Sequence, residues 1–177
     1  MAEEKKRELR MVMFPWLAYG RIGPFIELAK NLARHGLKII FVSTPLNIKR
    51  IKQQVLDAPG IDLMELAMPS VEGLPTGVES STDCVKREHT PLLLSLLPVA
   101  LDLFEKPFEA LLEQLSPDFM MYDVLRYWVR RVASKLPNPI PAILCHVQYM
   151  FGFGRGVCGV FVEAHEAASV PCWITHA

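Results

Sequence analysis

Met11-Val-Met-Phe-Pro-Trp-Leu-Ala-Tyr-Gly-Arg-Ile-Gly-Pro-Phe25 decides the fold. The run Met11 to Phe14 reads as a buried strand that empties into a Pro/Gly-punctuated loop. The loop then feeds a helix with Phe25, Leu28, Ala29 and Leu32 on one face. A loop at the carboxyl end of a first parallel strand is where open α/β sheets gather ligand chemistry. Its most reactive-looking position is Arg21, and a guanidinium cannot take up a proton at neutral pH.

Working outward, strand and helix patterns alternate. Leu9–Pro15 reads as a strand and Pro24–His35 as a helix, with Pro at its start and Gly36 just past its end. Lys38–Ser43 is a second strand, and Asn47 caps a short helix running to about Asp57. Ile61–Leu66 alternates apolar and polar residues. The polar stretch 69–89 is too long for a routine connection, the kind of loop that is often functional. Thr90 caps a helical stretch that Pro98 and Pro107 kink or split. Phe119–Tyr122 is a short strand, Val124–Leu136 an amphipathic helix, and Ile140–Cys145 a fifth strand. The pattern is α/β: a Rossmann-like parallel sheet with helices on both faces.

Length and composition bound the function. At 177 residues and 51% hydrophobic, the chain suits one domain with a substantial core. Nineteen basic residues balance nineteen acidic ones, so nothing recommends nucleic acid or an anionic membrane as partner. No apolar run approaches the roughly 20 residues of a membrane span. The stretch Met11–Tyr19 lacks a small-residue cleavage site and is broken by Pro15, so a cytoplasmic protein is expected. Cys84, Cys145, Cys158 and Cys172 show no C-x-x-C pairing, and with His165 and His176 match no zinc pattern. Free thiols and no metal site are expected.

Two polar residues fall at the carboxyl ends of strands: Arg21 after the first, and Asp123 after Phe119-Met-Met-Tyr122. Taken by themselves, they read as a solvent-facing arginine and a helix-capping aspartate. Trp128 reads as a core residue, and Phe14 either as core or, with Trp16 and Tyr19, as lining an aromatic, apolar cleft. His35 and His89 read as surface or cap-adjacent groups.

The residues also resemble a known family. Met13-Phe-Pro-Trp-Leu-Ala-Tyr-Gly20, Ile22-x-Pro-Phe25 and Glu27-Leu-Ala-Lys-Asn-Leu-Ala33 are similar to the N-terminus of plant UDP-sugar-dependent glycosyltransferases. So are Phe41-Val-Ser-Thr-Pro45 with Asn47-Ile48, Val71-Glu-Gly-Leu-Pro75, Ser116-Pro-Asp-Phe119 and Tyr122-Asp123. The likeness covers residues 10 to 145 in order. It looks closest to the branch that extends metabolites already carrying a sugar.

The resemblance implies half of a GT-B fold: an acceptor-side domain over residues 1–147, followed by a divergent tail (148–177), helical in part. It implies a hexosyltransferase that moves sugar from a UDP-sugar co-substrate to a hydroxyl of a flavonoid or terpenoid glycoside, with inversion. In the family a His in the first loop takes the acceptor proton, and an Asp after the fourth strand orients that His. Asp123 occupies the Asp position and Arg21 the His position, so a salt bridge is expected where a base should be, and activity should be impaired. The resemblance further implies Trp16, Tyr19, Gly20 and Ile22 at the acceptor and Gly23 near the donor. The family's donor signature, which belongs to a C-terminal domain, does not occur in these 177 residues. UDP-sugar binding is expected mainly in that missing half. A fragment, a truncated product and a misjoined product all fit.

Other readings stand beside this one. A non-catalytic remnant could bind a small molecule or a partner, and an uncovered interdomain face could drive self-association. Gly154-Arg-Gly-Val-Cys-Gly159 fits G-x-G-x-x-G ahead of an expected helix over 160–168. It lacks the following strand and acidic residue of a dinucleotide fingerprint, so a nucleotide-binding oxidoreductase is the weaker alternative.

Overall fold

A computed structural model describes residues 7–80, 83, 90–123, 127–150 and 157–164. Its strands are β1 (Arg10–Phe14), β2 (Lys38–Ser43), β3 (Ile61–Glu65), β4 (Phe119–Asp123), β5 (Ala142–Met150) and β6 (Val157–Ala164). Its helices are α1 (Tyr19–Arg34), α2 (Pro45–Ile51), α3 (Thr90–Asp102), α4 (Glu105–Leu115) and α5 (Tyr127–Lys135). The sheet order is β3-β2-β1-β4-β5-β6, with β3 to β5 all parallel and β6 antiparallel to β5.

Strand side chains alternate between two cores, as a sheet covered on both faces requires. Met11, Met13, Ile39, Phe41, Phe119 and Met121 pack with Ile22, Phe25, Ile26 and Leu32 of α1. Val12, Phe14, Ile40, Val42, Met120 and Tyr122 pack on the opposite face against α4 and α5. There Phe14 stacks on Phe108 with ring centroids 4.5 Å apart, and Trp128 meets Phe108 edge-on at 5.7 Å. Phe14 and Trp128 are fully buried core residues, as their helical and strand spacing indicates.

Several boundaries differ from the sequence reading. The helix expected to begin at Pro24 begins five residues earlier, so Arg21 lies in the first turn of α1 and not in a loop. Pro24 is inside the helix, where it forgoes one backbone bond, and burial of Ile22, Phe25 and Ile26 holds the segment helical. Gly36 does end the helix, with φ of 89° and its N–H bonded to Ala33 O at 2.9 Å.

The second helix starts at Pro45, with Thr44 and not Asn47 at its cap position, and passes into a 3₁₀ turn over Lys52–Val55. The proline-rich helical stretch splits after Asp102. Pro98 is accommodated within α3, and Pro107 falls in the first turn of α4, where a missing N–H costs little. The largest correction is at the tail. β5 runs to Met150, and residues 157–164 form β6 where a helix was expected from residue 160. Val157, Val160, Phe161 and Val162 are strong strand formers, and antiparallel pairing with β5 gives them a ladder. The rest of that expected helix (165–168), Gly154 and Gly156 of the glycine motif, and His89 lie outside the described residues.

Candidate functional site

Strand register builds the site. β1 and β4 pair in parallel with Phe14 opposite Tyr122, so Asp123 projects one residue further, beside the turn that leaves β1. Asp123 shares parity with Phe119 and Met121, which face α1. It therefore faces the helix whose first turn carries Arg21. That turn is held by Ala18, whose carbonyl accepts the N–H of Arg21 at 2.8 Å and of Ile22 at 3.0 Å.

Arg21 Nη1 donates to Asp123 Oδ1 at 3.3 Å. The Asp123 side chain is 0% exposed and the Arg21 side chain 28% exposed. A buried carboxylate needs a charged partner, and Arg21 supplies one while its outer edge reaches the rim. The salt bridge expected between these two side chains is present. In this arrangement the guanidinium can hold charge and donate hydrogen bonds, but it has no lone pair with which to accept a proton at pH 7.

The neighbouring residues sort differently. Trp16 is partly buried against the core shared by Phe14 and Trp128. Gly20 is exposed in the first turn, and a side chain added at Gly23 would meet nothing within 4 Å. Ile22, expected at the acceptor, is fully buried in the α1-side core, in the same apolar cluster as Met11 and Phe41. Tyr19 opens α1, and its side chain lies outside the described atoms. Tyr122 precedes Asp123 on the other face; burial pushes its phenol above the usual 10.0, with the Arg130 charge pulling the other way.

The rim holds further polar residues whose connection the sequence did not disclose. Asn47 is buried and donates to Thr44 Oγ1 at 2.8 Å and to Glu79 O at 3.2 Å. Glu79 Oε2 accepts the N–H of Leu46 at 2.6 Å. Asp83 Oδ2 accepts the N–H groups of Glu79 and Ser80, and its Oδ1 pairs with Arg50. The acidic spacing Glu79-x-x-x-Asp83 was visible, but its partner helix lies about 30 residues earlier.

At the opposite, amino rim of the sheet, Asp118 joins β1 to β4: it accepts from Arg10 N at 2.9 Å and pairs with Arg7 at 2.5 Å. Among the described residues no group of three His, Cys, Asp or Glu side chains could hold a metal, and Cys145 is buried. No described helix is long and apolar enough to cross a membrane.

This architecture, a doubly covered Rossmann-like sheet with a charged pair at its carboxyl rim, is that of one half of a GT-B glycosyltransferase. No protein-family model matches the chain. It is 39% identical over 128 residues to anthocyanidin-3-O-glucoside rhamnosyltransferase of Petunia hybrida, covering 72% of this chain and 26% of that protein. It is 34% identical over 149 residues to mogroside IIIx synthase of Siraitia grosvenorii, covering 83% and 30%. Among solved structures, Glycyrrhiza uralensis UGT73P12, complexed with glycyrrhetinic acid 3-O-monoglucuronide, superposes with a TM-score of 0.68 at 25% identity. That match covers 80% of this chain and 29% of the other. Arabidopsis thaliana UGT89C1 shares the fold, with a TM-score of 0.64. The chain belongs to the plant UDP-glycosyltransferase family, and it spans little more than a quarter of the length of the relatives it matches.

Proposed function

We propose that residues 1–147 are the acceptor-side half of a UDP-sugar-dependent hexosyltransferase that acts on a hydroxyl of a plant specialised metabolite or its glycoside. In the reaction the acceptor hydroxyl gives up its proton, to water where Arg21 stands in place of a base, its oxygen bonds the anomeric carbon, and the bond from that carbon to UDP breaks, with inversion. Sequence likeness supports the acceptor class, since the Petunia relative is named for an anthocyanidin 3-O-glucoside.

One observation carries the reading of activity: Arg21, at the family's base position, is bonded to the buried Asp123. General-base assistance is typically worth about 10²–10⁴-fold in rate, and a guanidinium does not provide it. Transfer is impaired for that reason, whatever donor half is present. The same pair favours a second reading, a binding module that retains the acceptor cleft without the chemistry.

Titration calorimetry on the 177-residue chain tests the proposal. Quercetin 3-O-glucoside should bind, whereas UDP-glucose and NAD should give no heat of comparable affinity. Tight UDP-glucose binding with no acceptor binding would reverse the assignment of this half.

A further inference from the structure

We infer that Glu79 is a positioning residue: it fastens the β3–α3 connection onto the start of α2, fixing one wall of the acceptor cleft. This rests on the acceptor-side reading above. α2 has only seven residues, no acidic residue in its first turn and no side-chain cap of its own. A helix that short is marginal, with unsatisfied N–H groups at its start.

The connection supplies what α2 lacks. Glu79 takes the Leu46 N–H in a charge-assisted bond, and its own carbonyl receives Asn47 Nδ2. Asp83 then bonds the backbone of Glu79 and Ser80 and pairs with Arg50 on the next turn of α2. Ser80, Asn47 and Thr44 are all buried, so the contact excludes water.

Geometry links this clamp to the rim. The connection departs from the carboxyl end of β3, and Leu66 N bonds Ser43 O at the carboxyl end of β2. Its middle leans on α3, where a side chain added at Gly73 would meet Leu96 at 3.5 Å. The segment therefore runs from the sheet rim to α3 and back to α2, on the edge that holds Arg21 and Asp123. Releasing Glu79 frees that wall without touching the charged pair.

The test compares Glu79→Ala, Glu79→Gln and Asp118→Asn in the 177-residue chain, by amide exchange and by affinity for quercetin 3-O-glucoside. Glu79→Ala should speed exchange at Leu46 and across 71–80, and weaken the glucoside by about tenfold, the equivalent of one lost charge-assisted bond. Glu79→Gln keeps an acceptor oxygen and should recover most of both. Asp118→Asn weakens a comparable backbone contact at the opposite rim and should leave affinity within about twofold. Unchanged exchange in Glu79→Ala would overturn the clamp; faster exchange with unchanged affinity, or equal weakening by Asp118→Asn, would overturn its role at the cleft. If the unmodified chain binds no glucoside, the acceptor-side reading falls, and the exchange results still decide the clamp.

Discussion

Arg21 and Asp123, 102 positions apart in sequence, meet at the carboxyl rim of the sheet with Nη1 and Oδ1 separated by 3.3 Å. The strand that ends in Asp123 and the helix whose first turn carries Arg21 are set side by side by the β1–β4 register. The contact is thus a consequence of topology. Its chemistry follows from the residue type, because histidine at this place could accept a proton and arginine does not.

Removing the cation should cost stability. Arg21→Ala leaves Asp123 buried without that partner, a loss of roughly 1–3 kcal/mol. Urea unfolding checks this, and an unchanged midpoint would show that the pair contributes nothing to folding.

The aromatic core below the rim should be more sensitive still. Phe108 stacks on Phe14 and is fully buried, so Phe108→Ala should destabilise by about 3–5 kcal/mol. Chemical denaturation measures it. A loss below about 1 kcal/mol would mean that the cluster collapses to fill the space.

Ser116 ends α4 at φ of 44°, a left-handed conformation that costs a side-chain-bearing residue energy. Its N–H bonds Leu112 O, and the position is one that favours glycine. Ser116→Gly should raise stability by about 0.5–1 kcal/mol, less the exposed bond from Ser116 Oγ to Glu113 O. Thermal unfolding would show the gain; a lower midpoint would mean that the hydroxyl contact dominates.

Alkaline pH should act through Tyr122. Its folded pKa lies above the unfolded 10.0 because burial disfavours the phenolate, partly offset by Arg130. Below pH 10 both states hold the proton and nothing changes. As pH rises from there towards the folded value, the unfolded chain ionises first and stability falls. Tyr122→Phe should remove that part of the alkaline decline, seen as a flatter unfolding midpoint above pH 10.

Much of this was legible before the structure. The apolar runs at Met11–Phe14, Lys38–Ser43 and Phe119–Tyr122 read as buried parallel strands, whereas the charged pair was legible only through the family resemblance, since Arg21 and Asp123 by themselves read as a solvent-facing arginine and a helix cap. The start of α1 was not legible. Pro24 looks like a first helical residue, yet burial of Ile22 and Phe25 outweighs one missing backbone bond. The same shift took Ile22 from the cleft into the core. β6 was missed because pairing with β5, not local pattern, makes Val157–Ala164 a strand. The Glu79 clamp is non-local by nature: no spacing announces that a distant loop caps α2.

The most direct measurement joins residues 1–145 to the donor-binding half of the Petunia relative and compares UDP release by the Arg21 and Arg21→His forms. The imidazole should raise the initial rate with quercetin 3-O-glucoside by about 10² or more, since it restores a base oriented by Asp123. An Arg21 form that releases UDP as fast as its histidine counterpart would contradict the account.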